Sequence, residues 1–144
     1  MRLLFLIMSF IILAAGSVRA EMVAVSGNLA EIRSSPSPVL SRVILRVPRY
    51  YPLSVEESQG DFLKVTDYLG NTGWIAKSRV EQTRTIVVKA EKVNLRKGPG
   101  QNNPIIFKAQ EGVAFKVIGE KEDWFEVQHE SGMTGWIFKD LVWN

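Results

Sequence analysis

Thr72-Gly73-Trp74-Ile75 returns as Thr134-Gly135-Trp136-Ile137, and the residues around the two tetrads match in step. The stretch from Val65 to Ile75 reappears 62 positions later as Val127 to Ile137. Lys77 and Val80 recur as Lys139 and Val142, and Val55 and Asp61 as Val117 and Asp123. With one residue fewer in the second loop, Arg33 and Pro36 recur as Arg96 and Pro99. The chain therefore carries two copies of one small domain. A period of about sixty residues is too long for one turn of a solenoid and suits a compact all-β module.

The first twenty residues are a different kind of text. Met1-Arg2 gives a positive start, Leu3 to Ala15 is an almost unbroken apolar run, and Val18-Arg19-Ala20 places small residues at the −3 and −1 positions. This reads as a secretory signal peptide cleaved after Ala20. The apolar run falls short of the roughly 20 residues that span a bilayer, so no membrane anchor is expected after cleavage. The expected organisation is 1–20 signal peptide, 21–82 first copy and 83–144 second copy. Export to the periplasm, or full secretion, follows.

Cysteine is absent, which excludes a lipoprotein anchor, a disulfide framework and thiolate chemistry. Stability must then come from packing. A lone 60-residue domain buries only about 60% of its unfolded surface, so two copies held together gain useful burial. Of 18 basic residues, Arg2 and Arg19 leave with the signal, and the remainder nearly balance the 15 acidic ones. That balance, without a basic stripe, argues against a nucleic-acid ligand.

After residue 22 the apolar pattern alternates with period two, and no stretch keeps a capped 3.6-residue rhythm for three turns. In the second copy strands are expected at Ile86–Val88, Val93–Arg96, Ile105–Ala109, Ala114–Gly119, Trp124–Gln128 and Thr134–Phe138, before a short turn into Leu141-Val142-Trp143. Lys97-Gly98-Pro99-Gly100 breaks one strand and Ser131-Gly132 forms a hairpin tip. The first copy has Ser35-Pro36-Ser37-Pro38 and Gly70-Asn71 at the same points. Five to six short strands in about sixty residues can curl into a small, strongly bent barrel. The link Glu81-Gln82-Thr83-Arg84-Thr85 has neither Gly nor Pro and should restrict the relative orientation of the copies.

Val93-Asn94-Leu95-Arg96-Lys97-Gly98-Pro99-Gly100, Asp123-Trp124-Phe125-Glu126-Val127 and Gly135-Trp136-Ile137 occur in this order and closely resemble bacterial SH3-like domains. The resemblance covers the chain after residue 20 almost end to end. It implies an all-β fold of two tandem small SH3-like β-barrels. The first copy departs from the pattern: Ala30 to Ser37 lacks the glycine, and Phe62-Leu63 replaces the Trp-aromatic pair.

Catalytic groups are scarce. The one histidine, His129, sits beside a hairpin tip and reads as an exposed loop residue, with neither a cysteine nor a second histidine to build a zinc site. The carboxylates of Glu120-Lys121-Glu122-Asp123 share one solvated turn, unlike the paired acids of a glycosidase. No enzyme activity, metal or cofactor is expected.

Aromatic surface remains. If Phe125 and Val127 are core, Trp124 faces outward, as Phe62 does in the first copy. Trp74 and Trp136 alternate with Ile75 and Ile137; they either cap the barrel or offer an edge to a ligand, and both roles are compatible. Tyr50 and Tyr51, between Pro48 and Pro52, form either a stiff ledge for stacking or a cover over the barrel and the junction between copies. Arg33 and Arg96 close the matched strand and pair either a ligand carboxylate or an acidic loop residue. The candidate ligand-binding residues are thus Trp124, Trp136, Arg96, Tyr50, Tyr51, Phe62 and Trp74. Bacterial SH3-like domains commonly accompany cell-wall enzymes, so the resemblance implies peptidoglycan, in particular its peptide stems, as partner. A protein adaptor of the envelope that takes extended or proline-rich segments, or an accessory subunit of a wall hydrolase, is the alternative.

Overall fold

The computed structural model describes residues 20–144, so the signal-peptide reading, apart from Ala20, lies outside the described residues. Glu21 onward forms two antiparallel sheets of seven strands, one per copy. The first contains β1 (Glu21–Val25), β2 (Ala30–Arg33), β3 (Val43–Val47), β4 (Pro52–Gln59), β5 (Phe62–Thr66), β6 (Thr72–Ala76) and β7 (Val80–Glu81). The second contains β8 (Thr85–Val88), β9 (Lys92–Arg96), β10 (Ile105–Gln110), β11 (Ala114–Lys121), β12 (Trp124–Gln128), β13 (Thr134–Phe138) and β14 (Val142–Trp143). Their orders, β3-β2-β6-β5-β4-β1-β7 and β10-β9-β13-β12-β11-β8-β14, are the same path traced twice. The fold is all-β, as the alternation requires. Each sheet has one strand more than expected, because a 3₁₀ turn (Lys77–Arg79, Lys139–Leu141) lets a two-residue strand pair back onto β1 or β8.

Eight-residue β4 and β11 bend each sheet. Their registers with β5 and β12 shift between Val55 and Glu57, and between Val117 and Gly119, which marks bulges at matching places. A bulge adds local twist and lets one long strand turn the sheet onto itself. Both β6 and β13 alternate buried and half-buried residues, with Gly73, Ile75, Gly135 and Ile137 inward and Trp74 and Trp136 outward. Ile32, Leu53, Val65 and Ile75 fill the first barrel, and Leu95, Phe115, Val127 and Ile137 the second. The buried Phe125 and Val127 face inward as expected.

The glycine of the first tetrad is required by closeness, not by a left-handed backbone. A Cβ on Gly73 would lie 2.5 Å from Ile32 Cγ2 and 2.9 Å from the Arg33 carbonyl oxygen.

The two barrels share apolar burial. Val87 and Ala114 of the second copy belong to the first copy's core cluster, and Trp143 packs against it. Tyr68 donates a hydrogen bond across the junction to Glu111 Oε1 at 3.1 Å, and the Tyr51 and Tyr68 rings lie 6.3 Å apart. In the link, Gln82 donates to Glu21 at 2.9 Å, and the Arg84 carbonyl accepts from Val117 N–H at 2.9 Å. Burial and hydrogen bonding together restrict the orientation of the copies.

Candidate functional site

Residues directly opposed across antiparallel strands project from the same face of the sheet. In the second copy Trp124 opposes Phe138, Glu126 opposes Trp136, and Trp136 opposes Arg96. Three strands, β12, β13 and β9, thereby gather an indole, a phenyl, a second indole, a carboxylate and a guanidinium on one outer face. The Trp124 and Phe138 rings lean together with centroids 5.5 Å apart at 52°. A half-buried aromatic face with flanking charge can stack on an apolar or ring-bearing ligand while its rim fixes polar groups.

The first copy repeats the plan with other residues. Phe62 opposes Ala76, Lys64 opposes Trp74, and Trp74 opposes Arg33. Ala76 is smaller than its counterpart Phe138, and a cleft of about 390 Å³ opens there between Phe62, Ala76, Arg33, Pro38 and Arg79. The two faces therefore present different shapes on equivalent strands.

Each matched arginine is held by its own loop. Arg33 donates to the Pro38 carbonyl at 3.2 Å, to the Ser41 carbonyl at 3.1 Å and to Ser41 Oγ at 2.8 Å, and pairs with Glu31. Arg96 donates to the Asn103 carbonyl at 2.9 Å. These bonds fix the loops that border each face, so the arginines position the rim whether or not they also meet a ligand.

Of the sequence-derived candidates, Trp124, Trp136 and Arg96 come together on one face, and Phe62 and Trp74 on the other. Tyr50 and Tyr51 do not join either. They are only 8% and 5% exposed, inside the first core, and Tyr51 donates to the buried Asp67 carboxylate at 3.1 Å. The stacking ledge is thus corrected to a cover over the barrel and junction, because both rings lie in a buried core cluster that Val87 and Ala114 of the second copy also enter. Burial, the neighbouring Asp67 charge and its hydrogen bond hold the Tyr51 hydroxyl well above the usual tyrosine range.

Phe138 was not among the candidates, although its cross-strand position opposite Trp124 follows from the hairpin register. His129, read as an exposed loop residue, is half-buried, its ring edge-on to Phe115 at 5.6 Å. Its Nδ1 accepts the Ser131 N–H at 3.2 Å and organises the hairpin tip. Asp67, its counterpart one period earlier, does the same in the first copy by accepting N–H groups of Leu69 and Asn71 at 3.0 and 2.8 Å. Aligning the copies at this position is the signal that marks His129 as a turn organiser. It also borders a hollow of about 410 Å³ lined by Phe107, Val113, Phe115 and Met133. Glu120, expected in a turn, lies near the end of β11 and takes hydrogen bonds from Lys139 and Arg84, both at 2.8 Å, which hold its carboxyl below the usual range. Among the described residues no helix is long and apolar enough to cross a membrane.

Two curled seven-stranded sheets in tandem, each with an outward aromatic face and a loop-clamped arginine, define a double SH3-like barrel. The bacterial SH3 domain family matches residues 26–82 and 89–144, and the chain belongs to that family. It is similar to the probable cell wall amidase LytH of Staphylococcus epidermidis, 40% identical over 58 residues that make up 40% of this chain and 20% of that protein. It is also similar to the putative N-acetylmuramoyl-L-alanine amidase YrvJ of Bacillus subtilis, 30% identical over 56 residues, 39% of this chain and 11% of that one. The similarity thus spans only a small part of these relatives' length. Among solved structures, an NlpC/P60 family protein from Bacillus cereus matches with a TM-score of 0.42 at 11% identity, over 85% of this chain and 56% of that one. NlpC2 from Trichomonas vaginalis matches with a TM-score of 0.39 at 16% identity, over 88% and 48%.

Proposed function

We propose that this protein is a non-catalytic binding module of the bacterial cell envelope, periplasmic or secreted, that takes peptidoglycan through its peptide stems on the outward aromatic faces. The observation that carries the reading is the convergence of Trp124, Phe138, Trp136 and Arg96 on one face of three strands. Membership of the bacterial SH3 domain family and the similarity to proteins named as cell wall amidases support the same ligand class. The two faces differ in shape, so the second copy is the principal receptor and the first adds avidity or a different contact. In this reading the protein serves beside a wall-cleaving enzyme and positions it on its substrate.

A second reading is favoured by one feature. β10 is an edge strand, its Ile105 and Ile106 are exposed, and the apolar hollow beside Phe107 adjoins it. An extended protein segment adding itself to that edge would make the molecule an envelope adaptor.

Incubation of the purified protein with insoluble peptidoglycan, followed by sedimentation, separates the two. Retention that weakens with Trp124→Ala and with glycan stripped of peptides is expected. No retention would refute wall binding and direct the search to protein partners.

A further inference from the structure

The two copies meet through corresponding positions. Tyr50 N–H donates to the Val25 carbonyl at 2.9 Å, and Gly112 N–H donates to Val88 at the same distance. This alignment makes Glu111 the counterpart of Arg49, and Glu130 the counterpart of Tyr68. On one side of the junction Tyr68 of the first copy bonds Glu111 of the second. The reciprocal pair, Arg49 and Glu130, lines a cleft of about 500 Å³ together with Pro48, His129 and Ser131. A symmetric interface would repeat one contact on both sides. Here the second side carries opposite charges in a cleft that both copies build.

We propose that this junctional cleft binds a zwitterionic peptide group, with Arg49 taking its carboxylate and Glu130 its ammonium. Among the described residues neither Arg49 nor Glu130 makes an ion pair, although arginines 33, 46 and 84 all do. Arg49 Nε is buried without an acceptor, a state that buried N–H groups rarely keep. The Arg49 guanidinium lies 4.9 Å from the centre of the Tyr50 ring, which holds its plane without satisfying its N–H groups. Tyr50 itself sits at φ 70°, where the second copy has Gly112 at φ 86°. A tyrosine in that left-handed conformation is strained, and such strain persists where the surrounding structure fixes it and often marks a binding site.

The cleft has the size of an ordinary small-ligand site, about 300–1,000 Å³. Its walls are preformed, because the shared core and the Tyr68–Glu111 bond hold the copies together. A carboxylate matches the planar guanidinium fork, and an ammonium supplies donors that Glu130, an acceptor only, lacks a partner for. The assignment does not rest on the outer aromatic faces, which lie on other strands.

The test is a titration of the purified protein followed by NMR of the arginine Nε–H and the backbone amides of Glu130 and Ser131. The probes are dialanine, its N-acetyl derivative and its C-terminal amide. Dialanine should give saturable shifts at Arg49 and Glu130, and both derivatives should bind about tenfold or more weakly, each lacking one charge-assisted bond. Arg49→Gln and Glu130→Gln should weaken dialanine binding to the same degree. Glu130 is exposed, so its variant should retain the fold, which circular dichroism checks. Equal binding of dialanine and either derivative, full binding by Glu130→Gln, or no saturable shift from any probe would overturn the proposal.

Discussion

Alanine at Gly73 and at Gly135 offers a comparison within one molecule, since the two glycines hold the same place in the repeated tetrad. Neither backbone is left-handed, so an L side chain is allowed and only the space decides. At Gly73 the new methyl would approach Ile32 Cγ2 to 2.5 Å and the Arg33 carbonyl oxygen to 2.9 Å. Ordinary carbon contacts lie at about 3.5–4.0 Å, so roughly 1 Å must be found. Ile32 is 1% exposed within the core, and Arg33 is paired with Trp74 in the sheet. Neither can withdraw freely. Overpacking of this kind costs about 1–3 kcal/mol. Alanine regains about 0.5–1 kcal/mol over glycine through the unfolded chain. Gly73→Ala should therefore destabilise by about 1–2 kcal/mol. At Gly135 the nearest atoms, Ile106 Cδ1 and Leu95 Cβ, are each 3.2 Å away, so a shift of a few tenths of an ångström suffices. There the two effects nearly cancel, within about 0.5 kcal/mol. Chemical denaturation of both variants, read by tryptophan fluorescence, measures the difference. Equal losses, or a greater loss at Gly135, would refute the claim that close approach to Ile32 fixes the first glycine.

Other consequences can be measured on the same protein. Tyr68→Phe removes the hydrogen bond to Glu111 and should cost about 0.5–1.5 kcal/mol; a double-mutant cycle with Glu111→Ala, which removes the acceptor, should show coupling, and strict additivity would deny the contact. Burial, then the Glu111 hydrogen bond, raises the Tyr68 hydroxyl to about 12 from its ordinary 10.0. Because the folded state holds this proton more tightly, its contribution is complete below pH 10 and is lost as pH rises through about 12. Alkaline denaturation should therefore be less steep in Tyr68→Phe, and an unchanged slope would contradict the assignment. Trp124→Ala should leave the fold intact, since the indole is half-buried on the outer face, while weakening wall retention about tenfold or more. Loss of the folded state by circular dichroism would instead make Trp124 a structural residue.

The strand pattern was legible because alternation is local. Thr-Gly-Trp-Ile dictates which residues face inward by period two alone, and the repeat supplies a second reading of every position. The outward direction of Trp124 followed in the same way from the burial of Phe125 and Val127. Phe138 and His129 needed one step more, the hairpin register for the first and an alignment of His129 with Asp67 for the second.

By itself, then, the sequence determined two β-modules and the inner and outer faces of their strands, since both rest on short-range periodicity, while three motifs in order carried the resemblance to the family to which the chain belongs. The tertiary structure alone decided what lies at the junction. Tyr50 and Tyr51 are buried in a core cluster that Val87 and Ala114, more than thirty residues away, also enter. Arg49 and Glu130, one from each copy, line one cleft. Contacts between copies depend on how two finished surfaces fit, and no local pattern in the chain records that fit.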